Sequence, residues 1–412
     1  MILKSIRLEN FRIIEEAQLD FGRRLTLLTG ANGSGKTAVL DAMSIGLGAV
    51  LTSLPDVIGL TFRKSGDIRQ VKNALAPYCR ISLVTRDNHL PNFDLAWDRI
   101  KQRDKSKATT RLFPKDSLGV GNLNNFIYMT VIDPMNEGEE FTLPVFACYG
   151  VSRALLEPPR TRKGFPKTHR RFEAFDNALN AVSRFRSAFI WFYNKENEEQ
   201  RLQRSAKSFD VTLKELDTAR RAVAGMFPNI SEPHIDVNLR FVVRHGTELL
   251  DIMQLSDGYK TLLALVIDLS RRMAMANPHL DDPLSAEAVV MIDEIDLHLH
   301  PSWQQRVIGD LLKTFPNTQF IVTTHSPYII ESANNNLKRY QIRNRSIESE
   351  EIRQLVPLDP ADTSAYFMQG KEGIEPLMDT ELGLLDDRLI EPFNQMTMLF
   401  DRMRDIEWGE SQ

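Results

Sequence analysis

Residues 30–37 match the pattern G-x-x-x-x-G-K-[ST], which is typical of loops that bind phosphate groups. An apolar run over 25–29 precedes them like a buried strand, and a helix-compatible stretch begins at Thr37. In that setting backbone N–H groups and a helix N-terminus surround phosphate oxygens. Lys36 can reach the β- and γ-phosphates, and the Thr37 hydroxyl is a ligand for Mg²⁺. The pattern predicts a nucleoside triphosphate site built from Gly30, Asn32, Gly33, Ser34, Gly35, Lys36 and Thr37.

Two later segments supply candidate catalytic groups. The apolar run 288–292 ends in Asp293 and Glu294. Asp293 is expected to hold Mg²⁺, and Glu294 to orient and deprotonate the attacking water. A further strand-like run over 320–324 ends in His325. A lone histidine there is more often structural, but its strand follows the carboxylates by one helix, so we predict that His325 contacts the γ-phosphate.

A helix start near residue 256 is the third feature. Ser256 is a good N-cap, and Gly258 permits close backbone approach. A helix N-terminus that carries a hydroxyl and a bare glycine suits an anion. Taken alone, the segment favours an ordinary capped helix.

The composition is that of a globular protein. The chain has 412 residues, 42% of them hydrophobic and 26% charged, with a formal net charge of -4. Its two cysteines, Cys79 and Cys148, exclude a disulfide framework within the chain. No apolar run approaches the ~20 residues that span a bilayer. We expect a cytoplasmic protein without membrane contact, and the charge argues against a nucleic-acid-coating surface but leaves a local basic patch open.

Alternating strands and helices predict an α/β fold with a largely parallel sheet covered by helices. An antiparallel hairpin is expected over 80–97 around Asn88, Pro91 and Asn92, and helical periodicity over 172–227. Later elements in chain order are predicted as a hairpin over 235–250, helix 255–276, strand 287–292, helix 301–315, strand 318–324, a short helix from Pro327 and a strand near Tyr340. The predicted segments are 1–150 (N-terminal lobe), 151–234 (basic loop and helical insertion), 235–345 (C-terminal lobe) and 346–412 (acidic helical tail).

The motifs, in this order, resemble the ATP-binding-cassette (ABC) superfamily, and most closely its soluble branch of SMC, Rad-fifty-type and RecF-type ATPases. Residues 6–12 are similar to the first strand of that branch, and 255–258 resemble its signature motif. Residues 294–301, and 145–150 followed by Arg153, look like the bacterial anti-phage defence ATPases of the OLD, Septu and retron-associated groups. The resemblance implies an ABC-type ATPase head with a mostly parallel core sheet, an antiparallel β lobe and a helical insertion.

The resemblance also implies a mechanism. Two such heads sandwich two ATP molecules, so Ser256 and Gly258 would act on the ATP of a second subunit. One copy of each motif then requires a homodimer, a higher homo-oligomer or a related partner. By the same resemblance Arg12 contacts phosphate, and Gln70 is the candidate lid glutamine near the metal, with a surface helix residue as its alternative.

Two functions follow from the resemblance. The first is a slow, regulatory ATPase that controls a separate effector nuclease in anti-phage defence, of HNH type if the system is Septu-like. No nuclease motif accompanies the ATPase motifs, so we expect no nuclease activity from this chain. The alternative is a RecF-like repair or loading factor that acts directly on DNA. The basic loop Arg160–Arg171 suits a DNA or RNA contact, an acidic partner or plain solvent. The tail from Glu372 carries 11 acidic and 3 basic side chains and apolar residues at helical spacing, which predicts a helix that packs on the core or docks elsewhere.

Overall fold

The computed structural model describes residues 1–72, 74–86, 94–114, 118–151, 169–181, 185–370, 373–386 and 391–409. In chain order its strands are β1 Ile2–Phe11, β2 Ile14–Asp20, β3 Leu25–Gly30, β4 Gln70–Val71, β5 Ala74–Leu75, β6 Tyr78–Arg86, β7 Asp94–Gln102, β8 Val145–Tyr149, β9 Ile230–Ile235, β10 Phe241–His245, β11 Glu248–Asp251, β12 Ala288–Ile292, β13 Thr318–Thr324, β14 Thr363–Met368, β15 Ile374–Pro376, β16 Met378–Asp379 and β17 Leu384–Leu385. In chain order its α-helices are α1 Lys36–Thr52, α2 Lys107–Leu112, α3 Val120–Ile127, α4 Asp133–Glu137, α5 Phe185–Ala206, α6 Lys214–Met226, α7 Asp257–Ala276, α8 Pro301–Gln304, α9 Val307–Thr314, α10 Pro327–Gln341, α11 Glu350–Gln354 and α12 Glu391–Gly409.

The main sheet has six strands in the order β15-β14-β3-β13-β12-β8. Five of them run parallel, and only the edge pairing of β14 with β15 is antiparallel. Strands β3, β8, β12 and β13 are buried along their whole length, as their continuous apolar sequences predict for strands covered on both faces. The predicted α/β class with a mostly parallel core sheet is confirmed.

Helix α1 lies between the main sheet and an antiparallel sheet of order β2-β1-β6-β7. Residues 38–51 of this helix are buried apart from one polar position, because both of its faces are covered. Gly46 allows the close approach of β6, since a Cβ there would lie 2.3 Å from Leu83 Cδ1. The indole nitrogen of Trp97 donates to the Gly46 carbonyl at 3.0 Å. This sheet is the predicted antiparallel lobe, and its β6–β7 pairing confirms the predicted hairpin.

Helices α5 and α6 form the predicted helical insertion, and they precede a small sheet of order β11-β10-β9. Both helices of the insertion pack on α7. The rings of Phe185, Phe189 and Phe192 on α5 also cluster with the ring of Phe241 on β10. Helix α7 is buried on most of its surface, and it carries the signature segment at its N-terminus. Its position is therefore set by the insertion on one side and by β8 on the other.

Two predicted elements are wrong, namely the strand near Tyr340 and the single helix over 301–315. Tyr340 lies in α10 and not in a strand, because the buried residues Ile329, Ile330, Ala333 and Leu337 continue a helical period from the Ser326 N-cap. The strand that joins the sheet beside β3 is β14, which lies within the segment predicted as a tail. The single helix over 301–315 is two helices, since Arg306 between them leaves the helical region at φ -123. The four-segment division stays a prediction.

Several sequence features lie outside the described residues, namely the hairpin turn at Asn88, Pro91 and Asn92, Arg153, and most of the basic loop. In α12 the described apolar side chains do not pack on the core. More than half of the surface of each is exposed for Met398, Leu399, Phe400, Met403 and Ile406. Across the described ranges, none of the helices combines the length and the hydropathy that crossing a membrane requires.

Candidate nucleotide-binding site

The phosphate loop (residues 30–37) joins β3 to α1 and depends on glycine at three positions. Gly30, Gly33 and Gly35 have φ angles of 140°, 78° and 107°, which other residues rarely adopt. A Cβ on Gly30 would also lie 2.2 Å from the Met368 carbonyl oxygen of β14. The Ser34 hydroxyl is buried and has no hydrogen-bond partner among the described residues. A loop shaped in this way, with an unsatisfied buried hydroxyl, fits a phosphate ligand.

Lys36 fills the centre of this loop. Its ammonium donates to the carbonyl oxygens of Gly30 at 2.9 Å and Ala31 at 3.0 Å. Burial lowers the pKa of Lys36, whereas the nearby carboxylates of Glu294, Asp293 and Asp296 raise it. Burial has the larger effect, so the pKa of Lys36 lies below its usual value, and two loop carbonyls hold the side-chain nitrogen at the loop.

Asp293 connects the phosphate loop to the neighbouring strands. Its Oδ2 accepts a hydrogen bond from Thr37 Oγ1 at 2.9 Å, and its Oδ1 accepts one from Thr323 Oγ1 at 2.7 Å. Its backbone N–H donates to the Tyr149 carbonyl at 2.8 Å, at the end of β8. A carboxylate and a hydroxyl are hard oxygen ligands, and Mg²⁺ is commonly held by one or two carboxylates together with substrate phosphates. Thr37 and Asp293 therefore fit the predicted role as Mg²⁺ ligands.

Glu294 and His325 face each other beside this pair. His325 Nε2 lies 4.0 Å from Glu294 Oε1, and each side chain is about one-third exposed. The register that pairs Thr324 with Thr29 in parallel strands brings His325 to the phosphate-loop edge, as the sequence predicted. Glu294 has a φ of 46°, and its N–H donates to Thr323 Oγ1 at 2.7 Å. A non-glycine residue held in this region is a feature that clusters at functional sites.

Arg12 lies close to the loop but is already paired. Its guanidinium contacts Asp41 at 2.6 Å and Asp67 at 3.3 Å. The next residue, Ile13, would be 3.1 Å from a Cβ on Gly35, so this turn packs directly on the phosphate loop. A phosphate contact by Arg12 stays a prediction, and it would compete with the Asp41 pair.

Gln70, the candidate lid glutamine, lies on a short hairpin. It lies exposed on the two-residue strand β4, which pairs with β5, so the alternative of a surface helix residue is wrong. Within the described ranges no hydrogen bond joins Gln70 to Lys36, Thr37 or Asp293. Its metal-site role stays a prediction without support from this geometry.

The signature tip (residues 255–258) lies at the start of α7. Ser256 is exposed and caps the helix, where its Oγ accepts from the Tyr259 N–H at 3.5 Å. Gly258 is buried, and a Cβ there would lie 2.4 Å from the His298 carbonyl oxygen. The close approach that Gly258 permits is therefore made by this chain's own backbone, while the Ser256 hydroxyl faces outward.

Sequence reasoning missed Thr323 and Asp296. Thr323 holds both Asp293 and the Glu294 backbone, and Asp296 accepts from Thr324 Oγ1 at 2.6 Å and from the His325 N–H at 3.4 Å. Each residue had a signal in the sequence. Thr323 is a polar residue at the end of a buried strand, and Asp296 is a carboxylate two positions after Glu294. His298 lies in the turn that follows Glu294, and His300 caps α8.

Comparison with known proteins agrees with this geometry. The family described as RecF/RecN/SMC N terminal domain matches residues 2–348. The retron Vc95 probable ATPase of Vibrio cholerae serotype O1 biovar El Tor is 40% identical over 382 residues, which cover 80% of this chain and 71% of the relative. Septu protein PtuA of Bacillus thuringiensis is 34% identical over 344 residues, which cover 81% of this chain and 74% of the relative. The solved structure of SmcHead bound to the C-winged helix domain of ScpA matches with a TM-score of 0.50 and 13% identity, over 93% of this chain and 100% of that chain. At this identity the match shows a similar fold only.

These matches confirm the resemblance to the SMC and RecF branch and to the Septu and retron ATPases. The family match spans the phosphate loop, the signature tip, Asp293, Glu294 and His325. The chain belongs to the RecF/RecN/SMC N-terminal domain family.

Proposed function

We propose that this chain is an ATPase that hydrolyses ATP with Mg²⁺ and dimerises around the nucleotide. The observation that carries the proposal is the convergence of Lys36, Thr37, Asp293, Glu294 and His325 at one edge of the main sheet. These residues come from two strand ends and one helix start, and together they supply a cation, hard oxygen ligands and two groups able to move or hold a proton.

Each side chain has a distinct role in this proposal. Lys36 would leave its loop carbonyls to neutralise phosphate charge, and Thr37 with Asp293 would hold Mg²⁺, which further neutralises the triphosphate. Glu294 would accept a proton from the attacking water, and His325 would orient the terminal phosphate. Asp293 accepts hydrogen bonds from the Thr37 and Thr323 hydroxyls, which hold its two oxygens in place for this role.

Dimerisation would complete the site. Ser256 is exposed at the α7 N-terminus, where the helix dipole and the hydroxyl suit an anion supplied by a second copy. Within the described residues no hydrogen bond joins Ser256 to the phosphate loop of its own chain. A homodimer, or a higher homo-oligomer, is therefore the expected ATP-bound state.

We further propose that the ATPase regulates a separate effector nuclease in anti-phage defence. The support is the similarity to a retron probable ATPase and to Septu protein PtuA over most of this chain. In the Septu-like case the nuclease would be of HNH type, and the nucleotide state would switch its activity with slow turnover. Co-purification from the native operon tests this: an associated nuclease supports the proposal, whereas salt-dependent DNA binding by this chain alone would favour the RecF-like alternative.

The ATPase proposal is tested by Lys36→Ala. Calorimetry with Mg·ATP and phosphate release are measured for wild type, for Lys36→Ala and for Lys338→Ala, which changes an exposed lysine on α10. We expect binding and hydrolysis by wild type and Lys338→Ala, and loss of both in Lys36→Ala. Equal turnover in all three proteins would refute the assignment of the phosphate loop.

A further inference from the structure

The turn over residues 294–300 contacts two functional elements of the same chain. One side holds the His325 loop, because Asp296 Oδ1 accepts from Thr324 Oγ1 at 2.6 Å and from the His325 N–H at 3.4 Å. The other side holds the signature helix, because the His298 carbonyl lies against Gly258. Whatever fixes this turn therefore fixes both elements relative to each other.

Gln304, the last residue of α8, binds across this turn. Its Nε2 donates to the Leu299 carbonyl at 2.7 Å and lies 3.5 Å from the Asp296 carbonyl, and its Oε1 accepts from Ser326 Oγ at 2.5 Å. The partners determine the orientation of the amide, since a flipped amide would place its oxygen against two carbonyl oxygens. Gln304 is therefore the direct link between the turn and the residue that follows His325.

We propose that Gln304 is a positioning residue for ATP hydrolysis, which holds His325 opposite Glu294. The inference rests on the proposed ATPase function. His325 lies in a short segment between β13 and α10. Asp296 holds this segment at Thr324 and His325, and Gln304 holds it at Ser326. Loss of one of these two attachments frees the imidazole to move from its 4.0 Å approach to Glu294.

A second consequence follows from the contact with α7. The Gln304 side chain also fixes the carbonyls of the turn whose His298 backbone packs on Gly258. In an ATP sandwich the signature tip serves the nucleotide of the second subunit. Gln304 thus connects the γ-phosphate contact in one site to the helix tip that completes the other site.

The test compares Gln304→Met with the matched control Gln305→Met. Methionine keeps the length of the side chain and removes its hydrogen bonds, and Gln305 is the exposed neighbour in sequence. We expect Gln304→Met to lower kcat by about tenfold to a hundredfold, as a 1 Å misplacement can do, while the Kd for Mg·ATP changes less than about threefold. Gln304→Glu, which keeps an acceptor for Ser326 and loses the donor, is measured in parallel and should show the same loss.

A double-mutant cycle separates positioning from a general structural effect. His325→Ala is measured alone and combined with Gln304→Met. If Gln304 acts through His325, the combination turns over within about twofold of His325→Ala alone. Provided that wild type hydrolyses ATP, three outcomes would each overturn the inference. These are additive losses in the double variant, a parallel loss of ATP binding in Gln304→Met, and an unchanged kcat in Gln304→Met. Absence of hydrolysis by wild type and Gln305→Met would instead overturn the ATPase proposal, and this inference with it.

Discussion

Thr37 Oγ1 donates a hydrogen bond to Asp293 Oδ2 at 2.9 Å, although the two residues are 256 positions apart in the chain. The bond joins the first turn of α1 to the end of β12, and the strand between β3 and β12 supplies Thr323 as a second donor to the same carboxylate. Both oxygens of Asp293 are thus oriented before any ligand arrives. Preorganised ligands of this kind lower the cost of holding a metal ion in one geometry.

Glu294→Gln tests the assignment of the general base. Glutamine keeps the shape of the side chain but cannot accept the proton from water, so we expect kcat to fall by about a hundredfold or more with ATP binding retained. In the proposed ATP-bound dimer, blocked hydrolysis would keep the subunits together, so light scattering should show a larger mass with ATP than without it. Glu331→Gln, at an exposed position of α10, is the control. Turnover of Glu294→Gln at the wild-type rate would mean that another residue is the base.

Asp268→Asn tests the buried charge cluster that joins α7 to β8. Asp268 accepts from Arg271 at 2.8 Å, from Arg272 at 2.7 Å and from the Tyr149 hydroxyl at 3.0 Å, and all four side chains are buried. Burial raises the pKa of Asp268, but the two guanidinium charges outweigh it and hold the pKa below its usual value. Removal of the charge leaves buried cations poorly paired, which costs about 3–5 kcal/mol of unfolding free energy in urea titrations.

The control for Asp268 is Asp217→Asn. Asp217 pairs with Arg221 at 3.0 Å with the same i,i+4 spacing, but both side chains are 44% exposed. An exposed pair of this kind contributes about 0–1 kcal/mol. Equal losses in the two variants would show that burial of the Asp268 cluster adds nothing to stability.

Glu196→Gln tests a pH dependence of stability. Glu196 on α5 is 8% exposed and accepts from the Ile235 N–H at 3.0 Å, and burial raises its pKa from 4.5 to about 7. The folded chain therefore holds this proton more tightly than the unfolded chain, so the stabilisation is full below about pH 4.5 and is lost as pH rises towards 7. At about 1.4 kcal/mol per pKa unit, wild type should lose roughly 2–3 kcal/mol between pH 5 and 8 through this group.

Glutamine at 196 keeps the acceptor for Ile235 and does not titrate. Urea unfolding at several pH values should therefore show that Glu196→Gln gains stability relative to wild type as pH rises. Glu198→Gln, at a side chain that is 53% exposed, is the control and should follow wild type. A difference between Glu196→Gln and wild type that stays constant from pH 5 to 8 would contradict the raised pKa.

Local patterns were enough to predict much of this molecule. The glycine spacing of residues 30–37 requires positive φ angles that the structure contains, and the apolar runs before Glu294 and His325 are buried strands. Near Tyr340 the same reasoning failed, because Tyr340 and Ile342 alternate with a polar residue as in a strand, while Leu337 and Tyr340 also have helical spacing. The helical period that begins at Ile329 identifies this segment as a helix only when Ser326 is known to be its N-cap.

The sequence by itself determined the phosphate loop, the carboxylate pair, the strands that precede both and the α/β class, because these depend on residue types and short-range periodicity. Only the tertiary structure decided that Thr323 supports Asp293, that Asp41 and Asp67 pair with Arg12, and that Gln304 spans the turn beside His325. These contacts depend on the register of parallel strands and on how distant segments pack. Such long-range pairings leave no periodic trace in the chain, so the side chains that hold the catalytic candidates in place could be identified only from the folded molecule.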